Sequence, residues 1–330
     1  MRPTRRLLAA PDSFGGTLAA VEAAAAIAAG AAAAGWAPRV LPLADGGEGT
    51  LDVLGGANRT SLVTGPLGEL VEAGWRLEDR VAIVEAARAA GLALAGGPQR
   101  NDPVRATTRG VGELIAAALD EGAERVVVAV GGSATTDGGL GAVEALRRRL
   151  PLPAALVVAC DVETRFLDAA AVFAPQKGAR AEQVRVLEDR LAHIAERYVS
   201  EFGVDVTALP LAGAAGGLAG ALAAFGAELV PGFALVADLV GLDEALTEVE
   251  LVVTGEGRLD ATSFLGKVVG GVLERALERG TPAAVVAGAV AAPLPLGVQA
   301  WSLDDRFGAE QARLAPADCI AELLGAELAP

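Results

Sequence analysis

The chain has 330 residues, 52% of them hydrophobic but only 4% aromatic, with alanine inflating the apolar share. Single hydrophobic cores stop growing at roughly 250–300 residues, so this length implies one large or two medium domains. Lys and Arg number 27 against 42 Asp and Glu, and the formal charge of −15 argues against a nucleic-acid or anionic-membrane partner.

From the N-terminus, MRPTRRLLAAPDSF carries too few apolar residues before Pro11 and Asp12 to make a secretory leader. No stretch runs eighteen apolar residues without Gly, Pro or charge, so the expectation is a soluble, cytoplasmic protein. Buried strands are expected in RRLLAAPDSF, PRVLPLAD, RVVVAVGG, ALVVACD, ELVVTGEG and PAAVVAGAV, alternating with alanine-rich helices. That alternation predicts an α/β fold. Each of these runs ends in Gly, Asp, Ser or Glu, and parallel sheets bind ligands outside the carboxyl ends of their strands. One segment breaks the rhythm. Leu70 to Ala87 reads as two alternating runs joined at Glu78-Asp79-Arg80, an antiparallel hairpin. A hairpin among parallel units predicts a discontinuous first domain, residues 1–60 and 248–330, interrupted by an inserted mixed α/β domain, residues 61–247.

Four loops carry residues suited to chemistry. In APDSFGGTL, Asp12 and Ser13 precede a glycine pair and a long helix; they read either as helix caps or as part of an anion site at the helix start. In PLADGGEGT, Asp45 and Glu48 bracket two glycines at a strand's end. In GGSATTDGG, glycine pairs flank Ser133, Thr135, Thr136 and Asp137, a composition that lets backbone N–H groups wrap an oxyanion. Its spacing is neither a Walker A loop nor a dinucleotide fingerprint, which lowers a nicotinamide-dependent oxidoreductase as a rival. In TGEGRLDATSFLGK, Glu256 sits between Gly255 and Gly257, followed by Asp260 and Lys267. That set can hold Mg²⁺ and a phosphate together, or can simply be an acidic turn and a surface lysine. Lys177 precedes a glycine in PQKGA, and the glycines of GAAGGLAGAL read first as close packing. The single histidine, His193, lies in a helical run of charged and apolar residues, and Cys160 and Cys319 have no metal or redox spacing. Chemistry therefore rests on Asp, Glu, Lys, Ser, Thr and the backbone.

Taken in order, APDSFGGTL, LADGGEGT, TTRGVGELI, GGSATTDGG, ACDV, FAPQKGA, GAAGGLAGAL with FGAELVPG, and TGEGRLD with GK resemble the type I glycerate kinase family. The resemblance spans residue 9 to about 270. It implies ATP- and Mg²⁺-dependent phosphorylation of D-glycerate or a closely related small hydroxy acid. It also implies a flavodoxin-like parallel-sheet domain interrupted by a second, restriction-endonuclease-like α/β domain, with the active site in the cleft between them. Carried over residue by residue, Asp45 or Asp260 becomes base or metal ligand, with Glu48, Asp137 and Glu256 as further metal candidates. Lys267 becomes the phosphate clamp. Gly131, Gly132, Ser133 and Thr135 become its cradle, and Asp12, Ser13, Thr107, Thr108, Lys177, Gly255 and Gly257 complete the binding set. The chain departs from the family pattern at Gly15, where lysine is usual, at Thr136, in DATS after Arg258-Leu259, at Val269, and in a shorter RRRLPLPAALVVACD connection. Gly15 keeps a second reading open, a nucleotide-binding protein of the same fold with lost or altered acceptor specificity. Alanine-rich helical faces leave a homodimer open.

Overall fold

A computed structural model describes residues 5–149, 152, 154–160 and 162–329. Asp161 of the ACDV motif, and Leu150, Pro151 and Pro153 of the shortened connection, lie outside the described residues, as do residues 1–4 of the N-terminal run. The strands in chain order are β1 (Arg6–Ala9), β2 (Ala37–Val40), β3 (Arg59–Thr64), β4 (Leu70–Glu78), β5 (Val81–Glu85), β6 (Arg125–Ala129), β7 (Ala155–Cys160), β8 (Glu228–Pro231), β9 (Leu251–Leu259), β10 (Ala283–Val290) and β11 (Gln299–Ser302). All six runs expected as strands form them. The expectation omits β3, β8 and β11, which are short and only partly buried.

The chain divides into two compact units, Met1–Asp45 with Phe233–Pro330, and Gly46–Gly232. The sequence pattern puts the divisions at 60/61 and 247/248 instead. The short helix Thr50–Val53 goes with the second unit because the buried Glu85, at the end of β5, accepts from the N–H groups of Gly49 and Leu51 at 3.2 and 3.1 Å.

The first unit is a five-stranded, all-parallel sheet in the order β11-β10-β9-β1-β2. Counted within this sheet alone the order is 2-1-3-4-5, the flavodoxin-like arrangement, whose switch point lies between β1 and β9. Both faces are covered, as a parallel sheet requires. Helices Ala20–Ala33 and Pro316–Glu327 bury Ile27, Ile320 and Leu324 against Leu7, Val253 and Val286. Helix Val268–Arg279 buries Val269 and Leu273 against Leu259, Val285 and Ala287. The two helices on the first face approach closely at Gly30, where a Cβ would stand 2.6 Å from the Ala321 carbonyl oxygen.

The second unit is a six-stranded mixed sheet in the order β3-β4-β5-β6-β7-β8. The β3–β4 and β4–β5 pairs are antiparallel, and the remaining pairs are parallel. The hairpin expected from Leu70 to Ala87 is the β4–β5 pair, closing at Glu78 opposite Val81. Its core gathers Trp75, Val84, Leu114, Ile115, Val126, Val128 and Val158. Trp75 satisfies its indole by donating to Ser61 Oγ at 2.9 Å across the β3–β4 pair.

The hairpin turn is left-handed at both central residues, with φ of 46° at Asp79 and 63° at Arg80. That is the backbone of a type I′ turn, which an Asn-Gly pair fits best and which costs a side chain with a Cβ roughly 1–2 kcal/mol per residue. A double variant with an Asn-Gly turn (Asp79→Asn with Arg80→Gly) is expected to raise stability by about 0.5–1 kcal/mol, measured by urea denaturation.

Candidate active site

In the first unit the switch point is built from the loop after β1 and the extension of β9. β9 pairs with β1 only as far as Val253, then runs on beside β10 through Glu256 to Leu259. The strand thus carries Glu256 past the carboxyl end of β1. The two segments are tied where the Asp12 N–H donates to the Gly255 carbonyl at 2.8 Å. Gly257 makes this approach feasible, since a Cβ there would lie 2.9 Å from the Phe14 carbonyl carbon, and one on Gly255 would lie 2.1 Å from the Val286 oxygen. The two glycines therefore act through packing.

Asp12 keeps an opening to solvent, yet burial pushes its carboxyl up to about 7. Asp45 and Glu256 push the same way, against the Ser13 N–H and the Lys267 ammonium. The Ser13 N–H donates to Asp12 Oδ1 at 2.6 Å. Desolvation also raises Glu256, opposed by the Ser263 hydroxyl and Lys267, while Asp260 and Asp45 add to the rise. Asp12, Asp45, Glu256 and Lys267 are thereby one electrostatic cluster. Glu256 Oε1 is buried without a hydrogen-bond partner in the protein. Of the two readings of Asp12 and Ser13, capping is not what they do: the helix begins at Ala20, with Ala19 as its cap residue.

Asp260 is occupied differently. Its Oδ1 accepts from Thr262 N at 2.9 Å and Thr262 Oγ1 at 2.7 Å, and its own N–H donates to Ser263 Oγ at 2.9 Å. The hydrogen bonds from Thr262 hold its carboxyl below the usual range. This caps the single-turn helix Ala261–Phe264, and Lys267 in turn precedes helix Val268–Arg279.

In the second unit the loop after β6 turns on glycines and is anchored by Asp137. The buried Asp137 carboxylate accepts from Thr108 N (2.8 Å) and Thr108 Oγ1 (2.9 Å), and from the N–H groups of Gly139 (3.0 Å) and Gly141 (3.2 Å). A carboxylate offers about four acceptor sites, so these bonds consume it. Burial still raises its pKa. Asp137, expected among the metal candidates, is thus a structural pin in this geometry, and Thr108 is its partner. Thr107 Oγ1 accepts from Arg109 N at 3.2 Å, at the start of helix Arg109–Asp120. Behind the loop, Gly216 and Gly217 take left-handed angles at the head of the GAAGGLAGAL helix; a Cβ on Gly216 would meet the Thr135 oxygen at 2.2 Å. The close-packing expectation for these glycines matches that contact.

Lys177 is the second unit's buried cation. Its Nζ donates to Ser133 Oγ at 3.1 Å and to the Thr135 carbonyl at 2.6 Å, and burial pushes it down to about 7 while Asp137 holds it up. Lys177 and Ser133 line a pocket of about 540 Å³ together with Gly131, Gly132 and Glu48. Thr135 Oγ1, also buried, has no hydrogen-bond partner. Sequence reading misses Asn101, whose Nδ2 donates to the Ala134 and Lys177 carbonyls at 3.0 and 2.9 Å and so fixes the Lys177 backbone to the loop. Its only sequence signal is the Asn-Asp-Pro turn. It misses Glu85 as well, hidden at the end of an apolar run.

Among the described residues, no three His, Cys, Asp or Glu side chains are grouped to hold a metal by themselves. No helix among them is long and apolar enough to cross a membrane.

The glycerate kinase family model matches residues 7–152 and 149–301 of this chain. A protein named glycerate kinase from Halalkalibacterium halodurans is 37% identical, and one named glycerate 2-kinase from Escherichia coli is 38% identical, each aligned over 86% of this chain and 85% of its own length. An uncharacterized protein of Mycobacterium bovis is 43% identical over 98% of this chain and 90% of its own. The crystal structure of a putative glycerate kinase 2 from Salmonella typhimurium superposes with a TM-score of 0.77 at 34% identity, covering 98% of this chain and 99% of that one. The family match and the relatives named glycerate kinase make this chain a phosphotransferase with an alcohol acceptor. The chain is a member of the glycerate kinase family. Membership of a kinase family carries with it the use of a nucleotide.

Two measurements check the second-unit geometry. Asp137→Asn leaves donors without acceptors and is expected to lower stability by about 1–3 kcal/mol in urea denaturation. Lys177 binds its proton less tightly folded than unfolded, so between pH 7 and 9 the unfolded chain holds more protons and stability rises with pH. The melting temperature of the wild type should therefore climb relative to Lys177→Met over that range; a constant difference would show that the ammonium is not desolvated.

Proposed function

We propose that this protein transfers the γ-phosphoryl group of ATP to a hydroxyl of D-glycerate or a closely related small hydroxy acid, as a cytoplasmic enzyme. The observation that carries the reading is the family match along nearly the whole chain, together with the charged groups gathered past the carboxyl end of β1, Asp12 in its loop and Glu256 on the β9 extension. Phosphoryl transfer needs little covalent help from protein; it needs positioned anions, a metal and cationic groups.

Mg²⁺ fits the first-unit cluster. Mg²⁺ uses one or two carboxylates and leaves its other positions to water and phosphate oxygens, so a three-residue protein cage is not required. Glu256, with its unpartnered Oε1, and Asp45 would hold it. When bound it would neutralise charge on the β- and γ-phosphates. Lys267 adds a positive charge to the same cluster and suits the phosphate-clamping role.

A base for the acceptor hydroxyl works best with a pKa near the operating pH. Asp12, pushed up to about 7, meets that demand better than Asp260, whose Oδ1 caps a helical turn and whose carboxyl is held low. Gly15 stands with φ of +53° and open space around its Cβ position, so the usual lysine is sterically admissible there but would carry backbone strain. The activity proposed here does not require that lysine.

The test is coupled ATP turnover with Mg²⁺ over D-glycerate, L-glycerate, glycolate, lactate and tartronate. ADP release with D-glycerate is the expected result, and silence with every acid while ATP still binds would favour a nucleotide-binding protein without turnover. Asp45→Asn is expected to lower kcat by about two orders of magnitude or more, while Asp260→Asn, which alters a cap, lowers it by less than about ten-fold. Equal losses in the two variants would return Asp260 to the reacting groups.

A further inference from the structure

The Lys177 pocket in the second unit is a built site. The cation at its wall is buried, and two of its three donors are used, on Ser133 Oγ and the Thr135 carbonyl. An ammonium carries three donors, so one remains for a ligand. Gly131 and Gly132 form the adjoining wall; Gly132 is left-handed, and a Cβ there would lie 3.2 Å from Glu48 Oε2. Leu92, Val162 and Phe173 supply apolar surface.

We propose that this pocket takes the acceptor hydroxy acid, with the Lys177 ammonium and Ser133 hydroxyl holding its carboxylate and Glu48 facing its hydroxyl end. The inference rests on the kinase reading above and assigns to this pocket the acceptor, not the nucleotide. Charge decides between the two. Among the described residues lining the pocket, Lys177 is the one cation and Glu48 the one anion. A nucleoside triphosphate brings several negative charges, and one lysine beside a carboxylate is a poor match for them. A hydroxy acid brings one negative charge at one end and hydroxyl donors at the other, which is the complement of this lining. The pairing also accounts for keeping a lysine where water is largely excluded: an incoming carboxylate stabilises the charged ammonium that burial disfavours.

The experiment is a calorimetric titration of the full chain with D-glycerate, glycerol and ATP–Mg²⁺, separately and without turnover, on the wild type, Lys177→Met and Ser133→Ala. Expected are binding of D-glycerate but not of glycerol to the wild type, and D-glycerate affinity weakened roughly ten- to hundred-fold in Lys177→Met, the scale of one charge-assisted hydrogen bond. Ser133→Ala, which only trims a hydroxyl, should weaken it roughly three- to ten-fold and keeps the test open where Lys177→Met fails to fold. ATP affinity should stay within about two-fold in both variants. Loss of ATP binding with D-glycerate binding kept would overturn the assignment and make the pocket a phosphate site. Unchanged D-glycerate affinity in both variants, glycerol binding as well as D-glycerate, or no D-glycerate binding by the wild type would also overturn it. The kinase reading fails separately: a wild type that binds D-glycerate through Lys177 and Ser133 but never releases ADP keeps this inference and loses that activity.

Discussion

The second unit depends on one buried carboxylate. Asp137 draws four donors from three places in the chain: Thr108 at the head of a helix, and Gly139 and Gly141 in and beyond its own loop. Leaving a buried charge without partners is expensive, so the surrounding backbone is shaped to supply them. Thr108 Oγ1 also accepts from Ala142 N at 3.1 Å, and the Tyr198 hydroxyl donates to the Gly138 carbonyl at 2.8 Å. Fixed in this way, the loop offers Ser133 and the Thr135 carbonyl to Lys177. The function of the loop follows from the rigidity of its far end.

The first unit solves the converse problem. There, carboxylates are brought near one another with a single lysine for compensation, and desolvation together with like charge raises Asp12. Such an arrangement costs stability and is characteristic of sites that await a cation or a proton. The flavodoxin-like strand order produces it, because at the switch point β9 runs on past the end of β1 and holds Glu256 against the β1 loop that carries Asp12.

Close backbone approach links the two solutions. Gly257 admits the β1 loop, and Gly216 admits the loop that follows β6. In each case an added methyl group would meet main-chain atoms that cannot step aside. Gly257, which the resemblance counts in the binding set, thus serves in good part to let a polar loop lie against its neighbour, and Gly216 does the packing its sequence suggested.

The sequence by itself determined the strand–helix alternation, the hairpin at Asp79-Arg80 and the family, because apolar periodicity and turn residues are local signals and eight motifs in order are specific. It also confined the chemistry to carboxylates, lysines and hydroxyls. Tertiary structure decided what each of those groups does. Asp45, Asp137 and Asp260 look alike in the sequence, each a carboxylate in or beside a glycine-bearing loop. Only the folded chain separates a member of a charged cluster, a fully bonded pin and a helix cap, since burial and the Thr108 donor 29 residues from Asp137 are set by the fold, whereas Asp260 is held by its own neighbours Thr262 and Ser263. Lys177 makes the same point: its motif marked it as a contact residue, but its desolvation, and its place beside Ser133, 44 residues away in the chain, exist only in the fold.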